Sequence, residues 1–270
     1  MTEVNSFETT VSNEGGFTEL RSDKAGAAIC APLCGTQHCF TGIKTVIHAP
    51  GFLEFAKQIL FYGALTCAFY GDLMNSFPPV CGIVAEYNPF HSGHMFHIRR
   101  TRESLGGDAV IVCVMSGNFV QRGDFAVLDK YARAETAVRG GADLVLELPL
   151  PWAIASAEGF AAGGVSILSR LGCGFLSFGC ESGDGDAIFR AAEASRSSEF
   201  EQTQHANIQT GLSYAAARQR ALEALGQNGQ LLTRPNDILA FEYCRAILTQ
   251  NSPMPVSYTH LRAHETRHDL

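Results

Sequence analysis

The chain has 270 residues, 46% hydrophobic, 17% charged and 10% aromatic, enough for one large folded domain or two small ones. A net charge of −7 excludes a uniformly basic nucleic-acid coat and leaves room only for local basic patches. Nine cysteines, an odd number in a chain too large to need staples, read as free thiols in a reducing, cytoplasmic setting rather than as a disulfide framework.

Residues 1–79 show no sustained period of either 3.6 or 2. The opening residues, Glu3, Asn5 and Glu8 among them, do not read as a secretory leader. The uncharged run 59–71 is too short to span a bilayer, so no membrane partner is expected. Cys30, Cys34, His38 and Cys39 invite a zinc reading, but His38 and Cys39 are adjacent and lack a supporting framework. No metal site is expected there, and the segment is left as an unassigned N-terminal extension.

Alternation begins at Cys81. Residues 81–85 predict a buried strand, 86–90 a loop, and 91–105 a helix closed by Gly106 and Gly107. Residues 109–115 predict a second strand and 116–127 a long polar loop. Asp129 is placed to cap a helix running to residue 139. A third strand, 143–148, stops at Pro149. An Ala/Gly-rich helix is expected over 153–171 and a fourth strand over 175–178. Apolar strands alternating with helices predict an α/β fold, a Rossmann-like doubly wound parallel sheet over residues 80–186. Ligands of such sheets lie at the C-terminal strand ends, here 86–94, 116–124, 149–152 and 179–183. Residues 187–256 read as a helical region, with helices over 187–194, 213–225 and 237–248, the last entered through Arg234, Pro235 and Asn236. Residues 257–270 are polar, His-rich and without an apolar period.

The chemistry concentrates where the first strand ends. His91-Ser92-Gly93-His94 puts a helix start, with its unpaired N–H groups and partial positive charge, where it favours phosphate. Gly93 permits close backbone approach, and histidines three apart lie on one helix face and can donate to the same oxygens. In attack on an α-phosphate, donors held there stabilise the developing charge. On this reading His91 and His94 are the catalytic pair. The bland alternative is two surface histidines beside a turn.

The stretch AEYNPFHSGHMFH, followed by VMSGNFVQRGDFAVLDKYARAETAVRGGADLVLELP, FGCESG and RPNDILAFEY, resembles bacterial tRNA(Met) cytidine acetate ligase, a family of the HxGH nucleotidyltransferase-like superfamily. The resemblance covers about residues 81–255. It implies that acetate attacks the α-phosphate of ATP to give acetyl-adenylate, and that the wobble cytidine of elongator tRNA(Met) then takes the acetyl group as N4-acetylcytidine. The implied partners are ATP, acetate and that tRNA, with Mg²⁺ accompanying the nucleotide and no DNA. By match to the family's motifs, ATP is held by Val84, Ala85, Glu86, Tyr87 and Asn88, by Pro89, Phe90, His91, Ser92 and Gly93, and by His94, Met95, Phe96 and His97. Gly179 and Asn236 complete the pocket. Another HxGH adenylyl- or cytidylyltransferase, or an inactive nucleotide- or RNA-binding fragment, is the alternative. Members of the family begin close to the first strand and continue past Pro255, so this chain is expected to be part of a longer enzyme.

Outside the motif, Asn118, Gln121 and Arg122 have no evident structural duty and form a second candidate cluster, with Lys130 and Arg133 nearby as phosphate contacts or a solvated face. Arg99, Arg100 and Arg102 suggest a phosphate-binding stripe for tRNA, or surface solubility alone. In residues 257–270, which resemble translated adapter sequence, His264-Glu265-Thr266-Arg267-His268 matches HExxH. Its flanks offer no apolar face to dock a helix, which argues against a zinc protease. From the first strand onward, Cys81, Cys113, Cys173, Cys180 and Cys244 read as small core residues or buried thiols.

Overall fold

In the computed structural model the described residues are 10–11, 45–48 and 78–260. The cysteine cluster at 30–39, the run 59–71 and the HExxH segment lie outside them. The strand segments are β1 (Thr10–Val11), β2 (Thr45–His48), β3 (Val80–Ala85), β4 (Val110–Ser116), β5 (Leu144–Leu148), β6 (Phe175–Cys180) and β7 (Val256–His260). They form one sheet in the order β1-β2-β5-β4-β3-β6-β7. The five strands from β5 to β7 run parallel, and β2 and β1 add to the β5 edge antiparallel. The expected α/β doubly wound sheet is what the chain adopts.

β4, Val-Ile-Val-Cys-Val-Met-Ser, is buried along its whole length, as a strand covered on both faces must be. Its alternate residues divide between two cores. Ile111, Cys113 and Met115 pack with Ile98, Ala134 and Ala137 from α1 (Ser92–Ser104) and α2 (Lys130–Arg139). Val110, Val112 and Val114 share the other core with Phe160 and Leu168 of α4 (Ala157–Arg170) and Phe241 of α8 (Pro235–Thr249). The approach of α4 to the sheet depends on small residues. A Cβ on Gly164 would fall 2.6 Å from Val84 Cγ2.

Four departures from the expected elements have local causes. The helix expected over 153–171 is two, α3 (Leu150–Ala153) and α4, because the Ser156 hydroxyl accepts from Gly159 N and starts a new helix. Between α5 (Gly185–Ala194) and α7 (Tyr214–Ala224) lies an unexpected helix, α6 (Ser198–Gln209), which buries only Phe200 and so writes almost no period into the sequence. At one edge, residues 256–260 pair with β6 in register, Leu176 with Val256 through Cys180 with His260. At the other edge, Val46 pairs with Leu146. Joining an open sheet edge uses backbone groups, which a side-chain period does not report.

From β3 the chain steps through β4 to β5 in one direction, whereas β6 and β7 lie on the other side of β3. The reversal falls between β3 and β6, and in open parallel sheets a crevice forms at the C-terminal ends of such a pair. No helix among the described residues is long and apolar enough to cross a membrane.

Candidate active site

α1 begins at the end of β3, beside the reversal. Its N-cap is His91, in extended conformation, whose Nδ1 accepts from Gly93 N at 3.1 Å. His94 reaches back in the same manner, its Nδ1 accepting from His91 N at 3.3 Å. The two histidines thus form a reciprocal capping box in which imidazoles replace the usual hydroxyl and carboxylate. Because each Nδ1 accepts, the proton of each neutral ring sits on Nε2. The rings stack with centroids 3.7 Å apart and planes at 24°. Burial, and then the neighbouring His91 and His97, push His94 down to about 3, so it donates as a neutral imidazole. The first turn of α1 carries no acidic residue to offset the positive end of its dipole.

The loop before α1 fixes this pair. Tyr87 is buried with φ +48°, a conformation a bulky side chain adopts only when its surroundings hold it. Its hydroxyl lies 3.2 Å from Cys113 Sγ, and its ring meets His94 edge-on at 4.8 Å and Phe90 at 5.0 Å. Glu86 Oε1 accepts from Gln121 N at 2.6 Å, and Asn88 Oδ1 accepts from Val127 N at 2.7 Å. These bonds tie the loop after β3 to the loop after β4. Val84 is buried and Ala85 half-buried at the strand end; Pro89 is half-buried, and Ser92 and Met95 are exposed. Phe96 lies under the Arg99 guanidinium at 5.8 Å. His97 faces inward, with Nε2 2.9 Å from Ser177 Oγ on β6.

The second candidate cluster changes meaning. Arg133 is fully buried, and its guanidinium donates to the carbonyls of Leu128, Glu86, Ser116 and Gly117. It closes strand ends from a buried position. Lys130 Nζ pairs with Glu147 Oε2 at 2.7 Å, and Asn118 Oδ1 accepts from Lys130 N. Of the three arginines on α1, only Arg102 is drawn into the fold, while Arg99 and Arg100 stay exposed. Arg102 bonds the carbonyls of Ala109 and Gly141 and pairs with Asp143, while Arg99 and Arg100 pair with Glu103. Arg122 remains exposed.

Across the reversal, Gly179 sits half-buried near the end of β6. The loop that follows is bonded to the start of α8. Asp237, fully buried, accepts from Glu181 N at 2.8 Å, Ser182 N at 3.1 Å and Ser182 Oγ at 3.3 Å. Asn236 N donates to Glu181 Oε1 at 3.2 Å. Gly179 and Asn236, 57 positions apart in the chain, are thereby carried by two elements bonded to one another. A cavity of about 330 Å³ opens beside this junction, lined by Ser182, Asp184, Asn228, Gln230 and Arg234 among others. Sequence reasoning missed Ser177, Arg133 and Asp237 as organising residues. Asp237, next to Asn236 in RPND, and Arg133, in the stretch after β4, stood within motifs that pointed to the site, whereas Ser177 did not.

The chain was compared with known proteins. A family model described as HIGH Nucleotidyl Transferase matches residues 79–270. A tRNA(Met) cytidine acetate ligase of Oceanobacillus iheyensis is 41% identical over 171 residues, 62% of this chain and 42% of the relative. Its counterpart in Syntrophotalea carbinolica is 46% identical over 178 residues, 64% of this chain and 42% of the relative. The crystal structure of Thermotoga maritima TmcAL bound with alpha-thio ATP superposes with a TM-score of 0.63 at 39% identity, over 67% of this chain and 46% of that one. The chain thus spans less than half the length of the relatives it matches.

Proposed function

This chain belongs to the HIGH nucleotidyl transferase family, and from that premise we propose that it is the nucleotide-handling part of an ATP-dependent acetate ligase acting on the wobble cytidine of elongator tRNA(Met). The observation that carries the reading is the double-imidazole capping box at the strand reversal. It brings two neutral Nε2–H donors to the positive end of the α1 dipole. The similarity to proteins named tRNA(Met) cytidine acetate ligase, and to a structure holding an ATP analogue, supports the choice of nucleotide and acceptor.

In the proposed reaction an acetate oxygen attacks the α-phosphorus of ATP, the bond to the bridging oxygen breaks, and pyrophosphate leaves. Negative charge grows on the α-oxygens and on the departing group, where the Nε2–H groups of His91 and His94 and the first turn of α1 are placed to receive it. Val84 through His97, Gly179 and Asn236 form the proposed nucleotide site. Within it His97 acts from beneath, since Ser177 already occupies its Nε2. The cytidine exocyclic amine then attacks the acetyl carbonyl, AMP leaves, and the amine gives up a proton. Mg²⁺ would accompany the triphosphate as its counter-ion; among the described residues no three His, Cys, Asp or Glu side chains gather to hold a cation.

Acetate-dependent ATP–pyrophosphate exchange tests the reading, performed on this chain and on a version extended to the length of its relatives. Exchange with acetate is expected. Exchange only with a different acceptor would make the protein another nucleotidyltransferase, and ATP binding without exchange in either version would leave a binding fragment. His94→Ala is expected to lower exchange by about 10²-fold, the usual cost of losing a charge-stabilising donor. Unchanged exchange would remove His94 from the chemistry.

A further inference from the structure

Beneath the imidazole pair lies a polar cluster almost sealed from solvent. His97 and Thr101, one turn apart on α1, both reach Ser177 on β6. His97 Nε2 is 2.9 Å from Ser177 Oγ, and Thr101 Oγ1 is 2.8 Å from the same oxygen. Thr101 and Ser177 are each 1% exposed and His97 is 8% exposed. One hydroxyl between two partners can donate to one and accept from the other, so the three groups form a closed neutral chain. Polar groups this deep are costly unless paired, and an apolar trio would fill the same layer without that constraint. What the polar version adds is direction, since hydrogen bonds fix α1 against β6 at one height and one distance where apolar packing would let the helix slide.

That height matters because both residues of the proposed nucleotide crevice are measured from it. His94 is three residues before His97 on α1, about 4.5 Å nearer the helix start. Gly179 is two residues beyond Ser177 on β6, about 6.6 Å nearer the strand end and on the same face of the sheet. Both steps lead toward the same rim, so the contact at Ser177 sits directly below the gap between the imidazoles and Gly179. We infer that Ser177, together with His97 and Thr101, is a positioning lock that sets the width of the nucleotide crevice across the strand reversal. The inference rests on the nucleotide reading of this site and adds to it Ser177 and Thr101, which touch neither ATP nor the reacting atoms.

The test uses Thr101→Val, which removes one hydroxyl at constant shape, Thr101→Ser, which keeps it, and Ser177→Ala. ATP affinity and thermal midpoint are measured on the same samples. A misplacement of the donors by even a fraction of an ångström is expected to weaken ATP binding by about tenfold in Thr101→Val and Ser177→Ala, with Thr101→Ser close to wild type. ATP affinity unchanged in both variants, whether or not the midpoint falls, would overturn the lock and leave a merely structural contact. So would failure of both to fold. A wild-type chain that binds no ATP would instead sink the nucleotide reading, and with it anything for the lock to position.

Discussion

The two walls of the crevice are held by buried charges of opposite sign. On the β3–β4 wall, Arg133 gathers the carbonyls of Glu86, Ser116, Gly117 and Leu128. On the β6–α8 wall, Asp237 gathers the amides of Glu181 and Ser182 and a hydroxyl. Parallel strands end in carbonyls, and unpaired carbonyls beside a phosphate would oppose it. Arg133 takes them out of play next to the positive end of the α1 dipole. Burial pulls the guanidinium pKa below its usual value while Glu86, Asp129 and Glu147 pull it back. Asp237 acts on the far wall, where its own charge is answered by three donors. One wall is thus shaped by tying up carbonyls and the other by tying up amides.

The comparison predicts unequal dependence. Arg133→Met strands four carbonyls at once and is expected to cost about 3 kcal/mol of stability, read by chemical denaturation. Asp237→Asn keeps an acceptor oxygen for Glu181 and Ser182 and loses only the charge assistance, so about 1.5 kcal/mol is expected. If the aspartate change proved the costlier, the β6–α8 wall would be the one that holds the site together.

Much of this was legible in the sequence because it repeats locally. The strand and helix alternation from Cys81 to Phe178, the Asp129 cap and the His91 to His94 turn all depend on neighbours within a few residues. What stayed hidden depends on distant partners. Arg133 on an otherwise polar helix start looks like a solvated or phosphate-seeking residue until Glu86, 47 positions away, is brought beneath it. Ser177 looks like a polar interruption of β6 until α1 delivers His97 and Thr101 to it. The edge strands at residues 45–48 and 256–260 escaped for another reason, since backbone pairing leaves no mark in side-chain period.

The seam where the walls meet gives the smallest and most diagnostic effect. Burial lowers His97 to about 4, and His94 lies at about 3, both below the ordinary 6.5. A group whose pKa is depressed on folding is protonated first in the unfolded chain. The stability tied to the neutral rings is therefore complete above pH 6.5 and lost as pH falls from there toward 4. At about pH 6 carboxylates outside strongly buried sites are still ionised, so the histidines dominate the change. His97→Gln removes one of the two proton sites while leaving an amide to meet Ser177. Between pH 7.5 and about 6, wild type should lose somewhat under ~1 kcal/mol more unfolding free energy than the variant. The comparison is of pH differences, so any fixed cost of the substitution cancels. Equal losses would mean that His97 is not held neutral at the seam, and the hydrogen-bonded contact joining the walls would have to be drawn differently.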